Sequence, residues 1–268
     1  MRIVQLTVLV IYAVLFSATL SFAAFDHTRW NHLLQENVVL LNEGRATAVD
    51  YDGMLAQREQ LTFYLKSLSE VTEDEFDSWS SAEQLAFLIN AYNSWTVELI
   101  LSKYPDLDSI KDLGSLFQSP WKKSFIPLLG ETRSLDDIEH LLIRGSDRYK
   151  EPRIHFAVNC ASIGCPALRA EAYVGARIDQ QLGEVEQLFL SDKSRNRFNE
   201  ESGLLEISSI FKWYEEDFSK GWTGIDSLRS YLANHQTELG MTDQQVQALK
   251  EDKVKIKYLK YDWKLNKN

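Results

Sequence analysis

The segment 85–101 constrains the fold of this chain more than any other feature. It reads LAFLINAYNSWTVELIL and is apolar nearly all the way round a helix, and Ser80 and Glu83 ahead of it form a capping-box pattern. A helix of this kind belongs in the centre of a domain. Asn90 and Asn93 share one face of it, so both amides need partners in the interior, because an unpaired buried amide costs about 1 to 3 kcal/mol.

The other periodicities predict further helices and a few short strands late in the chain. Helices are predicted at 28–44, 55–68, 134–144, 178–189, 210–218 and 242–250, a hairpin at 196–207, and strands at 153–159 and 254–258. We therefore expect an α+β fold, in the form of a mostly helical single domain with a buried central helix and a small, largely antiparallel sheet.

The first 23 residues predict export. An apolar run from Ile3 to Ala23 follows Arg2, and the small residues Ser21 and Ala23 suit cleavage by signal peptidase. We predict cleavage after Ala23, a periplasmic or secreted location, and one globular domain over residues 24–268. The alternative is that the run stays in the bilayer as an anchor, since about 20 apolar residues span it.

Charge and hydropathy exclude two classes of partner for the rest of the chain. The formal net charge is -10 over 268 residues, and an acidic domain without a basic stripe is not expected to bind nucleic acid. No second apolar run is long enough to cross a membrane, so no membrane span is expected after signal removal.

Ordered blocks between about residues 50 and 265 match one protein family. They are AFLINAYNSWTVELIL, SIKDLGSLFQSPWKKSF, SLDDIEHLLIR, PRIHFAVNCASIGCPALR, IFKWYEEDF and VKIKYLKYDWKLN. With these residues the chain resembles the domain-of-unknown-function family 547, which is found in exported bacterial proteins and in plants. The family has no agreed activity, so the resemblance implies a fold and a set of candidate residues.

His155, Cys160 and Cys165 form the strongest constellation for chemistry. A thiolate nucleophile needs a base or a cation to lower its pKa from about 8.5, and the base needs an orienting group. Five residues of extended strand span about 16 Å, so Cys160 reaches His155 only if the chain doubles back, whereas Cys165 lies beyond the turn at 162–164. We therefore favour Cys165 as nucleophile and His155 as base. The candidate orienting residues are Asn90, Asn93 and Glu139.

Other states of the two cysteines stay open. Cys160 and Cys165 flank a turn in a chain predicted to be exported, so a disulfide that staples the turn is the simplest expectation, contributing about 2 kcal/mol for so short a loop. The remaining alternative is a pair of buried free thiols. A labile disulfide would be compatible with both the structural and the catalytic interpretation.

Arg144, Arg153 and Trp121 are the candidate substrate-binding residues. The two arginines suit an anionic substrate, although pairing with carboxylates is the stronger expectation in so acidic a chain. The four tryptophans Trp95, Trp121, Trp213 and Trp263 are expected to fill the core rather than stack on sugars.

No metal and no cofactor is expected. His140, His155 and Glu139 offer suitable ligand types, but their spacing matches no standard zinc pattern.

Two functions from different classes follow. The first is a thiol-dependent hydrolase or acyltransferase that acts on an amide or ester. The second is a non-enzymatic periplasmic protein that binds a small molecule, a peptide or a partner and has a structural disulfide. The sequence specifies neither the substrate nor the oligomeric state.

Overall fold

The computed structural model describes residues 24–115 and 117–268, so the predicted signal segment lies outside the described residues. Helices dominate the first part of the chain. The helices are α1 (Thr28–Asn37), α2 (Tyr51–Ala56), α3 (Arg58–Glu70), α4 (Glu73–Ser78) and α5 (Ser81–Leu101), and the strands are β1 (Val38–Leu41) and β2 (Ala46–Val49).

The second part mixes short helices with short strands. In chain order these are β3 (Ile126–Leu128), β4 (Glu131–Arg133), a π-helix (Asp137–Ile143), a 3-10 helix (Pro152–Phe156), α6 (Ile178–Ser191), β5 (Arg197–Asn199), β6 (Leu204–Ser208), α7 (Ile210–Trp213), a 3-10 helix (Glu215–Phe218), α8 (Leu228–Asn234), α9 (Gln236–Leu239), α10 (Asp243–Lys250) and β7 (Ile256–Leu259). Further short 3-10 helices are Asn42–Gly44, Ile110–Leu113, Pro120–Lys122, Gly175–Arg177 and Trp222–Gly224.

Helix α5 is the central helix that the sequence predicts. The Ser80 hydroxyl accepts a hydrogen bond from the backbone N–H of Glu83 at 3.2 Å and so caps the first turn. Every residue from Gln84 to Ser94 is buried, which leaves no exposed stripe on this part of the helix. Because α5 packs against α3, α6 and the π-helix, it fixes the positions of the elements that build the cavity described below.

Three small sheets carry the strands. β1 pairs with β2 and β3 pairs with β4, both antiparallel. In the third sheet β6 lies between β5, which is antiparallel to it, and β7, which is parallel. The predicted hairpin is therefore β5 and β6, and β7 is an edge strand, as its alternating lysines indicate.

One hydrophobic core connects the described residues, from Trp30 in α1 to Leu265 near the C-terminus. The chain is a mostly helical α+β domain with small, largely antiparallel sheets, which confirms the predicted fold class. Within residues 24–115 and 117–268, none of the helices combines the length and apolarity that crossing a bilayer requires.

The strand predicted at 153–159 is wrong. Residues 152–156 form a 3-10 helix, because Pro152 fixes φ at its start and the Glu151 side chain caps it by accepting the N–H of Arg153 at 3.0 Å. All residues from Ile154 to Val158 are buried, so the apparent alternation did not mark one buried face. A 3-10 helix rises about 2.0 Å per residue, less than an extended strand. The strand-based estimate that Cys160 lies too far from His155 therefore no longer applies.

The first predicted helix is also too long. Helix α1 ends at Asn37, whose side chain donates to the carbonyl of Leu33 at 2.8 Å, and Val38 continues as β1. The β-branched pair Val38 and Val39 suits a strand, and pairing with β2 outweighs the helical spacing of the apolar residues.

Candidate active site

A cavity of about 170 Å³ lies between the π-helix, the 3-10 helix at 152–156, α7 and the C-terminal segment. Its carboxyl and imidazole side chains are those of Asp136, which precedes the π-helix, of Glu139 and His140 in the π-helix, and of His155 in the 3-10 helix. One side of it, which we call the aromatic wall, consists of Trp121, Trp213, Tyr261 and Trp263. Cys160 and Cys165 line the cavity as well.

His155 is the most constrained polar group of the cavity. Its side chain has no exposed surface, and its ring stacks on Tyr214 with the centroids 3.8 Å apart. Nε2 lies 2.7 Å from Oδ2 of Asp217, whereas Nδ1 has no hydrogen-bond partner within residues 24–115 and 117–268. Burial lowers the pKa of His155, although Asp217 and Glu139 counteract it. The ring is therefore neutral at neutral pH, with one nitrogen fixed and the other unsatisfied.

Asp217 is a fully buried carboxylate with three partners. Besides His155, it accepts a hydrogen bond from Nε of Arg144 at 2.5 Å, and Nζ of Lys220 lies 2.9 Å from Oδ1. Burial works to raise the pKa of Asp217, but the hydrogen bonds from His155, Arg144 and Lys220 outweigh it and lower this pKa far below its usual range. Asp217 is thus an anion that only accepts hydrogen bonds, so Nε2 of His155 carries the ring proton.

Glu139 faces the other side of the His155 ring. Its Oε1 lies 3.9 Å from Nδ1 of His155, too far for a hydrogen bond, and has no other partner in the part of the chain that the structure describes, although the residue is buried. Burial, reinforced by the Glu139 carboxylate, raises the pKa of Tyr92 and of Tyr214. A hydrogen-bonding group placed between Glu139 and His155 would satisfy two buried atoms that the chain leaves unpaired.

Cys160 and Cys165 lie at disulfide distance from each other, in agreement with the simplest expectation for them. The backbone N–H of Cys160 donates to Sγ of Cys165 at 2.8 Å. The Tyr261 hydroxyl lies 3.2 Å from Sγ of Cys165 and 3.1 Å from Sγ of Cys160. Burial raises the pKa of Tyr261 to about 12, so this hydroxyl stays a donor to sulfur.

The loop that carries the disulfide is held by two asparagines. The Asn93 side chain donates to the carbonyl of Ala157 at 3.0 Å and accepts the N–H of Asn159 at 2.8 Å. The Asn159 side chain in turn donates to the carbonyl of Pro166 at 2.8 Å. Gly164 allows Tyr261 to approach, since a Cβ there would lie 2.8 Å from its ring. The central helix thus positions both sulfurs through backbone contacts.

Asn90 and Asn93 do not orient His155. The Asn90 side chain donates to the carbonyl of Tyr173 at 2.7 Å and accepts the N–H of Tyr173 at 3.0 Å. Asn93 holds the loop described above. Both satisfy the requirement that buried amides find partners, but neither contacts the imidazole. Of the three predicted orienting residues, the structure brings only Glu139 beside His155.

The predicted substrate-binding residues separate in the structure. Arg153 pairs with Glu151 and with Asp179, both at 2.7 Å, so its charge is already matched. Arg144 is engaged by Asp217. Trp121 does line the cavity. The expectation that the tryptophans fill the core holds in part: Trp95 and Trp121 are partly buried against the core, whereas Trp213 is 46% exposed.

Sequence reasoning missed Asp217, Lys220 and Tyr261. Asp217 lies 62 residues from His155, and Tyr261 lies 96 residues from Cys165, so no local spacing connects either pair. The available signal was the block IFKWYEEDF, in which Asp217 is the one buried acid among Glu215, Glu216 and Asp217. Within residues 24–115 and 117–268, no group of three or more His, Cys, Asp or Glu side chains is arranged to hold a metal ion.

The fold and the cavity define an α+β domain with a histidine–aspartate pair, a disulfide and an aromatic wall around one small pocket. Residues 76–190 match the family model described as "Protein of unknown function, DUF547". This segment includes α5, Glu139, His155 and both cysteines, and over it the resemblance to that family is confirmed. Asp217 and three members of the aromatic wall lie beyond the matched segment. No curated protein and no solved structure matches the chain.

Proposed function

We propose that the cavity is the active site of a hydrolase or acyltransferase for ester or amide substrates, with His155 as its general base. One observation carries the proposal. Nε2 of His155, a residue that lines the cavity, is held by Asp217 at 2.7 Å, while its Nδ1 is buried and has no partner among the described residues. A buried nitrogen left unsatisfied costs about 1 to 3 kcal/mol, which a reacting group in the cavity would recover.

Asp217 supports the base in two ways. It fixes the tautomer that carries the proton on Nε2, so the lone pair is on Nδ1, and its charge stabilises the imidazolium that forms when Nδ1 takes up a proton. The lowered pKa of His155 keeps Nδ1 free of a proton at neutral pH. A base of this kind accelerates proton transfer by about 10² to 10⁴-fold.

Cys165 is the proposed nucleophile once its bond to Cys160 is reduced by a dithiol, which itself becomes a disulfide. The N–H of Cys160 at 2.8 Å and the hydroxyl of Tyr261 at 3.2 Å both point to Sγ of Cys165. Donors to sulfur stabilise a thiolate relative to a thiol and so lower the thiol pKa.

The chemistry then proceeds in two steps. His155 takes the thiol proton, Sγ of Cys165 bonds to the substrate carbonyl carbon, and the leaving alcohol or amine receives the proton from His155 as its bond breaks. Water, deprotonated by His155, next attacks the thioester and releases the acid and the free thiol. In an acyltransferase an alcohol or amine takes the place of water.

We further propose that the protein acts outside the cytoplasm, after removal of the predicted signal peptide. Disulfides persist in the periplasm and in secreted proteins and are rare in the cytoplasm. The Cys160–Cys165 bond supports this location.

A non-enzymatic binding protein is the second candidate, and the same disulfide favours it. While the two sulfurs are bonded, neither is a nucleophile, and the bond closes the loop 160–165. In that case the cavity holds a ligand without transforming it.

Alkylation by iodoacetamide tests the nucleophile directly, since the reagent takes the place of the substrate. In protein reduced with dithiothreitol, we expect Cys165 to react with an apparent pKa below about 8.5, and Tyr261→Phe to raise that pKa. The Cys165→Ser variant gives the matched rate for Cys160 alone. An apparent pKa of Cys165 at or above about 8.5 would refute the thiol mechanism and favour the binding protein.

Turnover of chromogenic esters and anilides, with and without dithiothreitol, tests the whole proposal. We expect hydrolysis after reduction only, its loss in Cys165→Ala and His155→Gln, and its retention in Cys160→Ala. Hydrolysis that survives Cys165→Ala would contradict Cys165 as nucleophile. Hydrolysis that survives His155→Gln would contradict the base.

A further inference from the structure

We infer that the substrate of this cavity carries an ammonium group, bound between the aromatic wall and the carboxylates of Glu139 and Asp136. The inference names the substrate class and rests on the proposed function only in placing the chemistry in the same cavity. The supporting observations are the geometry of the wall, an ammonium already bound by it, and an unpartnered buried carboxylate oxygen.

The aromatic wall is continuous. The rings of Trp213 and Trp263 stack with centroids 5.6 Å apart, and Trp121 meets Trp263 edge-on at 5.6 Å. Tyr261 lies 4.5 Å from Trp263 and 4.8 Å from Trp213. Trp213 keeps 46% of its surface exposed, although burial of so large a ring is favourable. The faces of indole rings attract cations, and Trp does so most strongly.

The wall already binds one ammonium group of the chain itself. Nζ of Lys111 lies 3.7 Å from the ring centroid of Trp263. Lys111 is exposed and is not part of the cavity lining, so its ammonium group contacts the aromatic wall from outside the cavity. A cation therefore finds a stable place against these rings.

The ionisable groups of the cavity favour the same charge. Asp136 and Glu139 line it, and no lysine or arginine among the described residues does. Of the basic groups nearby, Arg144 is paired with Asp217, and Lys122, which interacts with Asp136, is exposed to water. An anionic substrate would meet two carboxyl groups in the cavity lining, and the nearby cations Lys122 and Arg144 interact with carboxylates of the chain itself.

Glu139 adds the specific contact. Glu139 is buried, at 4% exposed, and within the described residues no donor is directed at Oε1, although the Tyr92 and Tyr214 hydroxyls are close enough for this carboxylate to raise their pKa values. An ammonium N–H donates to a carboxylate oxygen, and such a charged hydrogen bond is about twice as strong as a neutral one. A cavity of about 170 Å³ admits one small head group or side chain, so we expect a compact amine linked to the ester or amide.

Three probes of matched shape test the inference: benzylamine, benzyl alcohol and benzoate, titrated calorimetrically into the full chain at neutral pH. We expect benzylamine to bind at least tenfold more tightly than benzyl alcohol, and benzoate more weakly than either. Glu139→Gln should reduce the preference for the amine at least fivefold, and Asp136→Asn should reduce it less. Trp213→Ala should weaken amine binding, whereas Trp222→Phe, which lies outside the cavity, should not.

Equal affinity for amine and alcohol, or a preference for benzoate, would overturn the inference. So would an unchanged preference in both Glu139→Gln and Asp136→Asn. The outcome is separable from the proposed function, because His155→Gln and Cys165→Ala should keep the amine preference while losing turnover. If turnover is found on neutral or anionic substrates alone, the proposed function stands and this inference fails.

Discussion

His27 and His155 are both buried histidines, but the structure surrounds them differently. Nδ1 of His27 is hydrogen-bonded to the Tyr64 hydroxyl at 2.8 Å, and its ring packs beside Phe25 at 4.9 Å. His155 has the anion Asp217 on one nitrogen and no partner on the other. Burial lowers the pKa of both rings. Burial and a shifted pKa are therefore common to both histidines, and the unsatisfied nitrogen at a cavity is the feature on which we base the proposal for His155.

Replacing each histidine by glutamine tests this comparison most directly. We expect His155→Gln to lower kcat by about 10² to 10⁴-fold, because a general base is lost. His27→Gln should leave kcat within about twofold and lower the free energy of unfolding by about 1 to 3 kcal/mol, since it removes a buried hydrogen bond. Steady-state kinetics and urea unfolding of both variants provide the measurement. Equal losses of kcat would show that the two positions do not differ in function.

The partners of the two histidines sharpen the comparison. Asp217→Asn leaves Arg144 and Lys220 without their anion, so we expect the free energy of unfolding to fall by about 3 kcal/mol. This value is at the lower end of the range for buried ion pairs, because both cations retain contact with water. It should also lower kcat, since asparagine no longer enforces the Nε2–H tautomer. Tyr64→Phe, the matched change beside His27, removes one neutral hydrogen bond and should cost about 1 kcal/mol without changing kcat.

Nitrogen NMR of the imidazoles checks the tautomer. In the native protein the His155 ring should carry its proton on Nε2, and Asp217→Asn should alter the signals of His155 but not those of His27. A His155 ring protonated on Nδ1 at neutral pH would contradict the proposed base.

The sequence predicted the elements whose signals are local. Helix α5, its Ser80 cap, α6 and the β5–β6 hairpin all follow from side-chain period and turn residues within one segment. The segment 153–159 failed because Pro152 and Glu151 favour a helical turn, while an alternation of large and small side chains suggested a strand. When every side chain is buried, the period of apolar residues no longer separates the two structures.

The site was predictable in part for the same reason. His155, the two cysteines and Glu139 come from neighbouring blocks, and the structure places them around one cavity. Asp217 and Tyr261 reach the cavity only through tertiary folding, and an aspartate in an acidic run looks like an exposed residue. Asn90 and Asn93 were correctly placed in the interior, but buried amides satisfy backbone groups as readily as catalytic ones.

The pH dependence of the free energy of unfolding tests whether His27 is buried and neutral in the folded protein. Its folded pKa is lowered to about 4 by burial, so the unfolded chain binds a proton below about 6.5 while the folded chain does not. Stability should therefore fall by about 3 kcal/mol as the pH drops from about 6.5 to 4. His27→Gln should flatten the curve in this window, and His155→Gln should act in the same direction. Urea unfolding at several pH values measures it, and an unchanged slope in His27→Gln would contradict the assignment.

Removal of the disulfide should lower stability modestly and change the environment of one of the two histidines only. Cys160→Ser with Cys165→Ser opens a short loop, so we expect a loss of about 2 kcal/mol in unfolding free energy. The loop lies at the cavity of His155 and is tied to α5 through Asn93, whereas His27 packs among aromatic rings beside α3. The imidazole signals of His155 should therefore shift and those of His27 should not. If both sets shift alike, the loop is coupled to the whole core, and His155 is not a locally built site.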